Sequence, residues 1–224
     1  MTKLLERELQ RLRSSLVEQF GIVEQMIQRS VRSLMERNSD LADQVIRGDE
    51  DVDEREISIE EECLKLLALH QPLATDMRWL VTVVKTNSEL ERMADLACNI
   101  AERAKSLAHH PLYPVPSEID EMVAISTKMV KDALDSFVEY DPTKAVDVIK
   151  DDDKMDSLNR NVIQQIQETM RQGPENVDPA LHCFSASRHL ERISDLATNI
   201  AEDVIYLVEG TIVRHQHDIY LPDK

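Results

Sequence analysis

The sequence predicts an all-α protein built from two tandem up-down-up three-helix bundles. Aromatic residues make up 4% of the chain and glycines number four, a composition typical of helical bundles rather than sheets. Apolar residues recur at three- and four-residue steps over long stretches, which is the spacing of amphipathic helices. In addition, LERMADLACNIAE at 90–102 returns as LERISDLATNIAE at 190–202, with ten of the thirteen positions identical. We therefore expect one structural unit made twice and related by internal duplication.

The apolar spacing predicts three long helices in each half. Those of the first half span about 3–37, 41–70 and 75–108, and those of the second half span about 118–140, 142–172 and 178–209. The third helix is apolar nearly all round at its start, near Trp79. A helix of this kind is buried on more than one side. We therefore expect it to contact the other half of the protein or a second subunit.

A proline-rich segment separates the two halves. The sequence HHPLYPVPSE at 109–118 holds three prolines in six residues and is expected to form a stiff, extended linker. The predicted division is a first repeat at 1–108, a linker at 109–117, a second repeat at 118–210 and a polar tail at 211–224. The tail carries His215 and His217 and is expected to fray.

Helix two contains a position with two open interpretations. If the helix continues through Gly48, then Asp49 and Asp53 share a face with apolar residues and point toward the bundle. If Gly48 breaks the helix, Asp49 is the cap of a new one. At an offset of 103 residues this acid pair matches Asp152 and Asp156 in the second half.

The repeated segment carries acids opposite its apolar stripe. Glu91 and Asp95 lie four residues apart, as do Glu191 and Asp195. A solvated face is the simple interpretation, but carboxylates four apart on a helix can also share a cation, and all-oxygen sites suit Mg²⁺, Ca²⁺, Mn²⁺ or iron. Acids of two helices can meet only in a surface groove where the helices flank each other. The candidate metal ligands are Asp49, Asp53, Glu91 and Asp95 in the first half and Asp152, Asp156, Glu191 and Asp195 in the second.

Composition excludes several classes of function. The formal net charge is −17, from 43 acids against 26 bases, which disfavours nucleic-acid binding. Three cysteines without pair spacing are expected to be reduced thiols. No signal peptide or membrane-spanning run is evident, so we expect a soluble, cytoplasmic protein.

A di-iron oxidase needs Glu-x-x-His motifs, and the chain has none; it also lacks a P-loop. We therefore expect a non-enzymatic protein.

Three segments carry a resemblance to a known family. HQPLATDMRWL (70–80), ELERMADLACNIAE (89–102) and HLERISDLATNIAE (189–202), with the duplicated three-helix plan, resemble the PhoU family of phosphate-transport accessory proteins. The resemblance covers nearly the whole chain. Where the family often has Gly before the motif Asp, this chain has Ala94 and Ser194, and both residues are small.

The resemblance implies a function as well as a fold. PhoU proteins bind divalent or multinuclear metal (iron, zinc, magnesium or manganese) at such acid motifs in some members, and they often form homodimers. The family acts as a negative regulator of phosphate uptake and of the phosphate-starvation response. It connects the ATPase subunit of the phosphate ABC importer to a sensor histidine kinase, at the periphery of membrane complexes. A metal-storage bundle without signalling partners is the alternative interpretation.

Overall fold

In a computed structural model, residues 3–110 and 113–213 are described, and their regular structure is entirely helical. Seven α-helices follow one another within these ranges, and a short 3₁₀ turn, Pro174–Asn176, precedes the last. The α-helices are α1 (Lys3–Glu36), α2 (Ser39–Arg47), α3 (Asp49–His70), α4 (Thr75–Leu107), α5 (Glu118–Glu139), α6 (Pro142–Met170) and α7 (Val177–Glu209). The all-α prediction is therefore confirmed. None of these helices is long and apolar enough to cross a membrane.

The predicted second helix is in fact two helices, α2 and α3, which meet at Gly48. Gly48 has ordinary right-handed backbone angles (φ −77°, ψ −9°) and is itself the N-cap of α3. The interpretation that Gly48 breaks the helix is therefore confirmed, but Asp49 is the first residue of α3 and not its cap. Its Oδ1 atom is nonetheless buried, as the continuous-helix interpretation required. The matching helix of the second repeat, α6, runs without a break from Pro142 to Met170.

Local capping explains why α6 begins where it does. The Asp141 side chain accepts hydrogen bonds from the backbone N–H of Thr143 (2.9 Å) and of Lys144 (3.3 Å). Pro142 occupies the first turn, where the missing N–H costs nothing and the fixed φ suits a helix. The sequence at this boundary therefore specifies the helix start on its own.

The two repeats face each other through α4 and α7, which run antiparallel. Near one end Lys85 Nζ lies 2.8 Å from Asp203 Oδ1, and near the other end His110 Nε2 lies 2.9 Å from Asp178 Oδ2. Residue numbers therefore rise along α4 in the direction in which they fall along α7. Ala94 and Ser194, which are small and buried, lie between these two contacts.

The apolar start of α4 contacts the second repeat. The Trp79 ring lies 6.5 Å from the Phe137 ring of α5, and both side chains are buried. This confirms the expectation that the first half of α4 packs against the other half of the chain. The beginning of the predicted tail is also packed, because Val213 is only 4% exposed. His215 and His217 lie outside the described residues.

Candidate functional site

Acids of α3 and α4 come together on the surface of the first repeat. We call Asp49, Asp53, Glu56, Glu91 and Asp95 cluster 1. Burial raises the pKa of Glu91, and the negative charges of Asp95, Asp53 and Glu56 raise it further. Such repulsion is felt only between neighbouring groups. The acids of the two helices therefore lie close enough to raise one another's pKa values.

Asp49 is the inner member of cluster 1. Burial raises its pKa first, and the charges of Asp53 and Asp95 add to that rise, while a hydrogen bond from the Cys98 thiol opposes it. The same thiol lies 3.8 Å from the Val45 carbonyl oxygen, so it is within reach of two acceptors. Burial, and then the Asp49 charge, raises the pKa of Cys98, so it stays a neutral donor at neutral pH.

The second repeat carries a matching group on α6 and α7. We call Asp152, Asp156, Glu191 and Asp195 cluster 2. Burial raises the pKa of Asp152 to about 6, with further contributions from Asp195 and Asp156. Burial and the Glu191 charge raise the pKa of Asp195 to about 6 as well, against the opposing effect of Arg188 and Arg192. Burial and the charges of neighbouring acids therefore both disfavour ionisation of these two carboxyl groups.

Nearby arginines neutralise only part of this charge. Arg188 Nη1 lies 2.6 Å from Glu191 Oε1, and Arg160 Nη1 lies 3.6 Å from Asp156 Oδ2. Within the two clusters, three carboxylate oxygens are nevertheless buried without a hydrogen-bond partner: Asp49 Oδ1, Asp152 Oδ1 and Glu191 Oε2. Buried oxygens with unused lone pairs and mutual repulsion are the donor chemistry that hard divalent cations prefer.

The acidic side chains of the two clusters are not arranged around a common metal position. Within residues 3–110 and 113–213, no group of three or more His, Cys, Asp or Glu side chains is arranged so that it could hold a metal ion. A cation bound at either cluster would therefore require the carboxylates to rotate toward it. The closeness of these carboxylates and their oxygen atoms suit a cation. The described residues do not, however, show the preformed ligand geometry of a rigid metal site.

Sequence reasoning missed one member of cluster 1. Glu56 follows Asp49 and Asp53 at the i, i+4, i+7 positions of one helix face, and this spacing could have revealed it. At the offset of 103 its place in the second repeat is taken by Asn159, which is 3% exposed and whose Oδ1 atom lacks a hydrogen-bond partner. The two clusters are thus similar but not equivalent.

Taken together, the fold and the two clusters define a duplicated three-helix-bundle protein with an anionic cluster on each repeat. The sequence model of the PhoU domain matches residues 16–104 and 119–204. The chain belongs to the PhoU family.

Relatives and solved structures agree with this assignment. The chain is 38% identical over 213 residues to the phosphate-specific transport system accessory protein PhoU homolog of Aquifex aeolicus, covering 95% of this chain and 96% of that protein. It is 31% identical to the phosphate-specific transport system accessory protein PhoU of Escherichia coli, covering 93% and 86% respectively. The crystal structure of PhoU from Pseudomonas aeruginosa superposes with a TM-score of 0.89 at 36% identity, over 92% of this chain and 99% of that one. These relatives are named as accessory proteins, not as enzymes.

Proposed function

We propose that this protein is a non-enzymatic regulator of phosphate uptake and of phosphate-starvation signalling. In this proposal it links the ATPase subunit of the phosphate ABC importer to a sensor histidine kinase, and it acts as a cytoplasmic homodimer. The family membership supports the connection with phosphate transport, since relatives with matching length are named as accessory proteins of that system. The single observation that supports a mechanism based on metal binding is the pair of matched anionic clusters.

We further propose that each cluster holds a divalent or multinuclear metal. Asp49, Asp53, Glu91 and Asp95 would supply oxygen ligands in the first repeat, with Asp152, Asp156, Glu191 and Asp195 in the second. Magnesium, manganese, iron and zinc are the candidates. A bound cation would supply positive charge that removes the repulsion raising the carboxylate pKa values.

Relief of this repulsion has a structural consequence. Cluster 1 joins α3 to α4, and cluster 2 joins α6 to α7, so neutralising either cluster draws two neighbouring helices together. The two helix faces are then held in one arrangement, which partner proteins could recognise. In this mechanism the protein's own carboxylates turn inward and set the distance between the helices.

Metal content tests the proposed metal sites. The variant with Glu91→Gln, Asp95→Asn, Glu191→Gln and Asp195→Asn is expected to lose bound divalent metal, measured by elemental analysis after dialysis. Glu168→Gln, which changes an exposed acid of α6 outside both clusters, is the control and should retain it. Unchanged metal content in the fourfold variant would reject the assignment of these ligands.

Partner binding tests the proposed link between the importer ATPase subunit and the sensor kinase. Immobilised protein is expected to retain the purified importer ATPase subunit and the cytoplasmic part of the sensor kinase. Retention of neither partner, with metal still bound, would favour a metal-storage bundle instead. Size-exclusion chromatography with light scattering measures whether the protein is a homodimer.

A further inference from the structure

The break at Gly48 opens a crevice between α1 and the α2–α3 pair. Its volume is about 580 Å³, within the size range of small-molecule sites. The floor is apolar, and polar side chains surround it; no residue of cluster 1 lines it. The lining residues are Ile22, Gln25, Met26 and Arg29 of α1, Gln44 and Val45 of α2, Gly48, and Asp51, Glu54, Arg55 and Ser58 of α3.

The second repeat has an ion-pair network at the equivalent positions. At the offset of 103, Gln25 corresponds to Lys128 and Gly48 corresponds to Asp151. Lys128 Nζ lies 2.6 Å from Asp151 Oδ2 and 2.8 Å from Asp132 Oδ2, so it ties α5 to α6. The first repeat has neither the lysine nor the aspartate. The two repeats therefore differ in the residues that stand at these positions of the crevice.

Two further replacements give the first-repeat crevice its charged walls. Arg29 stands where the second repeat has Asp132, so the charge at this position is inverted. Arg55 stands where the second repeat has Leu158, whose apolar side chain packs against the core. Ion-paired and apolar residues of the second repeat thus stand where the first repeat has the polar and charged residues that line the crevice.

Gly48 lines the crevice without a side chain to occupy it. Its φ of −77° is accessible to every residue, so the backbone does not require glycine. A Cβ at this position would meet only the carbonyl oxygens of Val45 and Gln44, at 3.4 and 3.5 Å. A larger residue would fit the helix, and the glycine instead leaves room beside Ile22, Met26 and Val45.

The charges on the walls have both signs. On the α1 side, Arg29 forms no ion pair with the described residues, and its guanidinium only donates to Gln25 Oε1 at 3.4 Å. On the α3 side, Arg55 is already bound to Glu18 at 3.0 Å, while Asp51 and Glu54 are exposed at the rim. A ligand carrying one sign alone would meet like charge on one wall, so electrostatic complementarity favours a ligand carrying both.

We propose that this crevice is a binding site for a small zwitterion with an apolar body, such as an α-amino acid with an apolar side chain. Its carboxylate pairs with Arg29, its ammonium group lies toward Asp51 and Glu54, and its apolar body covers Ile22, Met26 and Val45. The amide groups of Gln25 and Gln44 and the Ser58 hydroxyl complete the polar rim. This site is independent of the proposed function of the two clusters.

A matched set of three probes tests the charge requirement. L-Phenylalanine carries both charges, 3-phenylpropanoate lacks the ammonium group, and 2-phenylethylamine lacks the carboxylate. Isothermal titration of the full chain is expected to show binding of L-phenylalanine, with each single-charge analogue at least tenfold weaker. No binding of the zwitterion, or equal binding of the anion, would overturn the proposal.

Substitutions test the location. Arg29→Ala and Glu54→Gln, both at exposed positions, are each expected to weaken L-phenylalanine binding about tenfold, the usual effect of losing a charged hydrogen bond. The double variant Gln25→Lys with Gly48→Asp installs the ion pair of the second repeat and should abolish binding, with helix content by circular dichroism retained. Asp132→Ala, at the counterpart of Arg29, is the control and should leave binding unchanged. Wild-type affinity in Arg29→Ala and Glu54→Gln would place the ligand elsewhere.

Discussion

Cluster 2 makes the stability of the metal-free protein depend on pH in an unusual direction. Burial raises the pKa of Asp152 from 3.8 to about 6, with Asp195 and Asp156 contributing. Above pH 6 the carboxyl is ionised in both folded and unfolded chains, and its burial destabilises the fold. As pH falls from 6 toward 3.8, the folded state binds a proton that the unfolded state does not, so the free energy of unfolding rises.

The size of this effect follows from the shift. One pKa unit corresponds to about 1.4 kcal/mol, so a shift of about two units sets an upper limit of about 3 kcal/mol. Asp152 is only half-buried, and water screens its charge, so we expect about 1 kcal/mol. Although the pKa of Asp195 is raised to a similar value, its side chain is exposed by area, and we therefore assign it the smaller share.

Asp152→Asn measures this energy directly. In urea titrations with EDTA present, the variant is expected to be more stable than wild type by about 1 kcal/mol at pH 7.5, because one buried charge is gone. At pH 5.0 the advantage should fall to about half, since wild-type Asp152 is then largely protonated in the fold. Glu168→Gln on the same helix should show no such pH-dependent difference. A destabilised Asp152→Asn at pH 7.5 would refute the repulsion argument, and added Mn²⁺ should stabilise wild type more than the variant.

Three further substitutions probe the scaffold, each measured by urea titration. Gly21→Ala should stabilise the protein by about 1 kcal/mol, because Gly21 lies inside the continuous α1 and an added Cβ would meet nothing within 4 Å. Phe137→Ala should cost about 3–5 kcal/mol, because this side chain is 1% exposed and packs against Trp79 across the two repeats. Asp141→Ala should cost about 1 kcal/mol by removing the cap of α6.

Each of these expectations has a distinguishing outcome. Circular dichroism and the fluorescence of Trp79, the single tryptophan, should report one shared transition for Phe137→Ala, since the repeats pack on one another. Two separate transitions would show that the repeats fold independently. An unchanged midpoint for Asp141→Ala would mean that water replaces the cap, and a destabilised Gly21→Ala would mean that α1 bends there.

Most of the helical architecture could be predicted from the sequence. Apolar residues at helical spacing identify each helix and its buried face, because the side chains on one face are set by the 3.6-residue period alone. The duplicated segment at 90–102 and 190–202 shows which residues of the two repeats correspond. The start of α6 follows from Asp141 and Pro142, whose local chemistry acts without help from the rest of the fold.

The break at Gly48 lay beyond local reasoning. A glycine inside a helical pattern is compatible with a continuous helix or with an end, and the difference is small in free energy. In the second repeat Asp151 at the matching position is held by Lys128 and Lys154, and α6 is continuous there. Sequence periodicity does not describe these ion pairs, so it could not show that one repeat has a continuous helix where the other has two.

The sequence by itself determined which residues share each helix face: the apolar stripes, the acids at 91 and 95 with their repeats at 191 and 195, and the duplication that relates them. The tertiary structure alone decided how those faces meet. It placed the acids of α3 near those of α4, added Glu56 to the first cluster and formed a crevice at Gly48. The physical reason is that a helix face is a local property of the chain. The distance between two faces, by contrast, is set by the packing of every side chain between them.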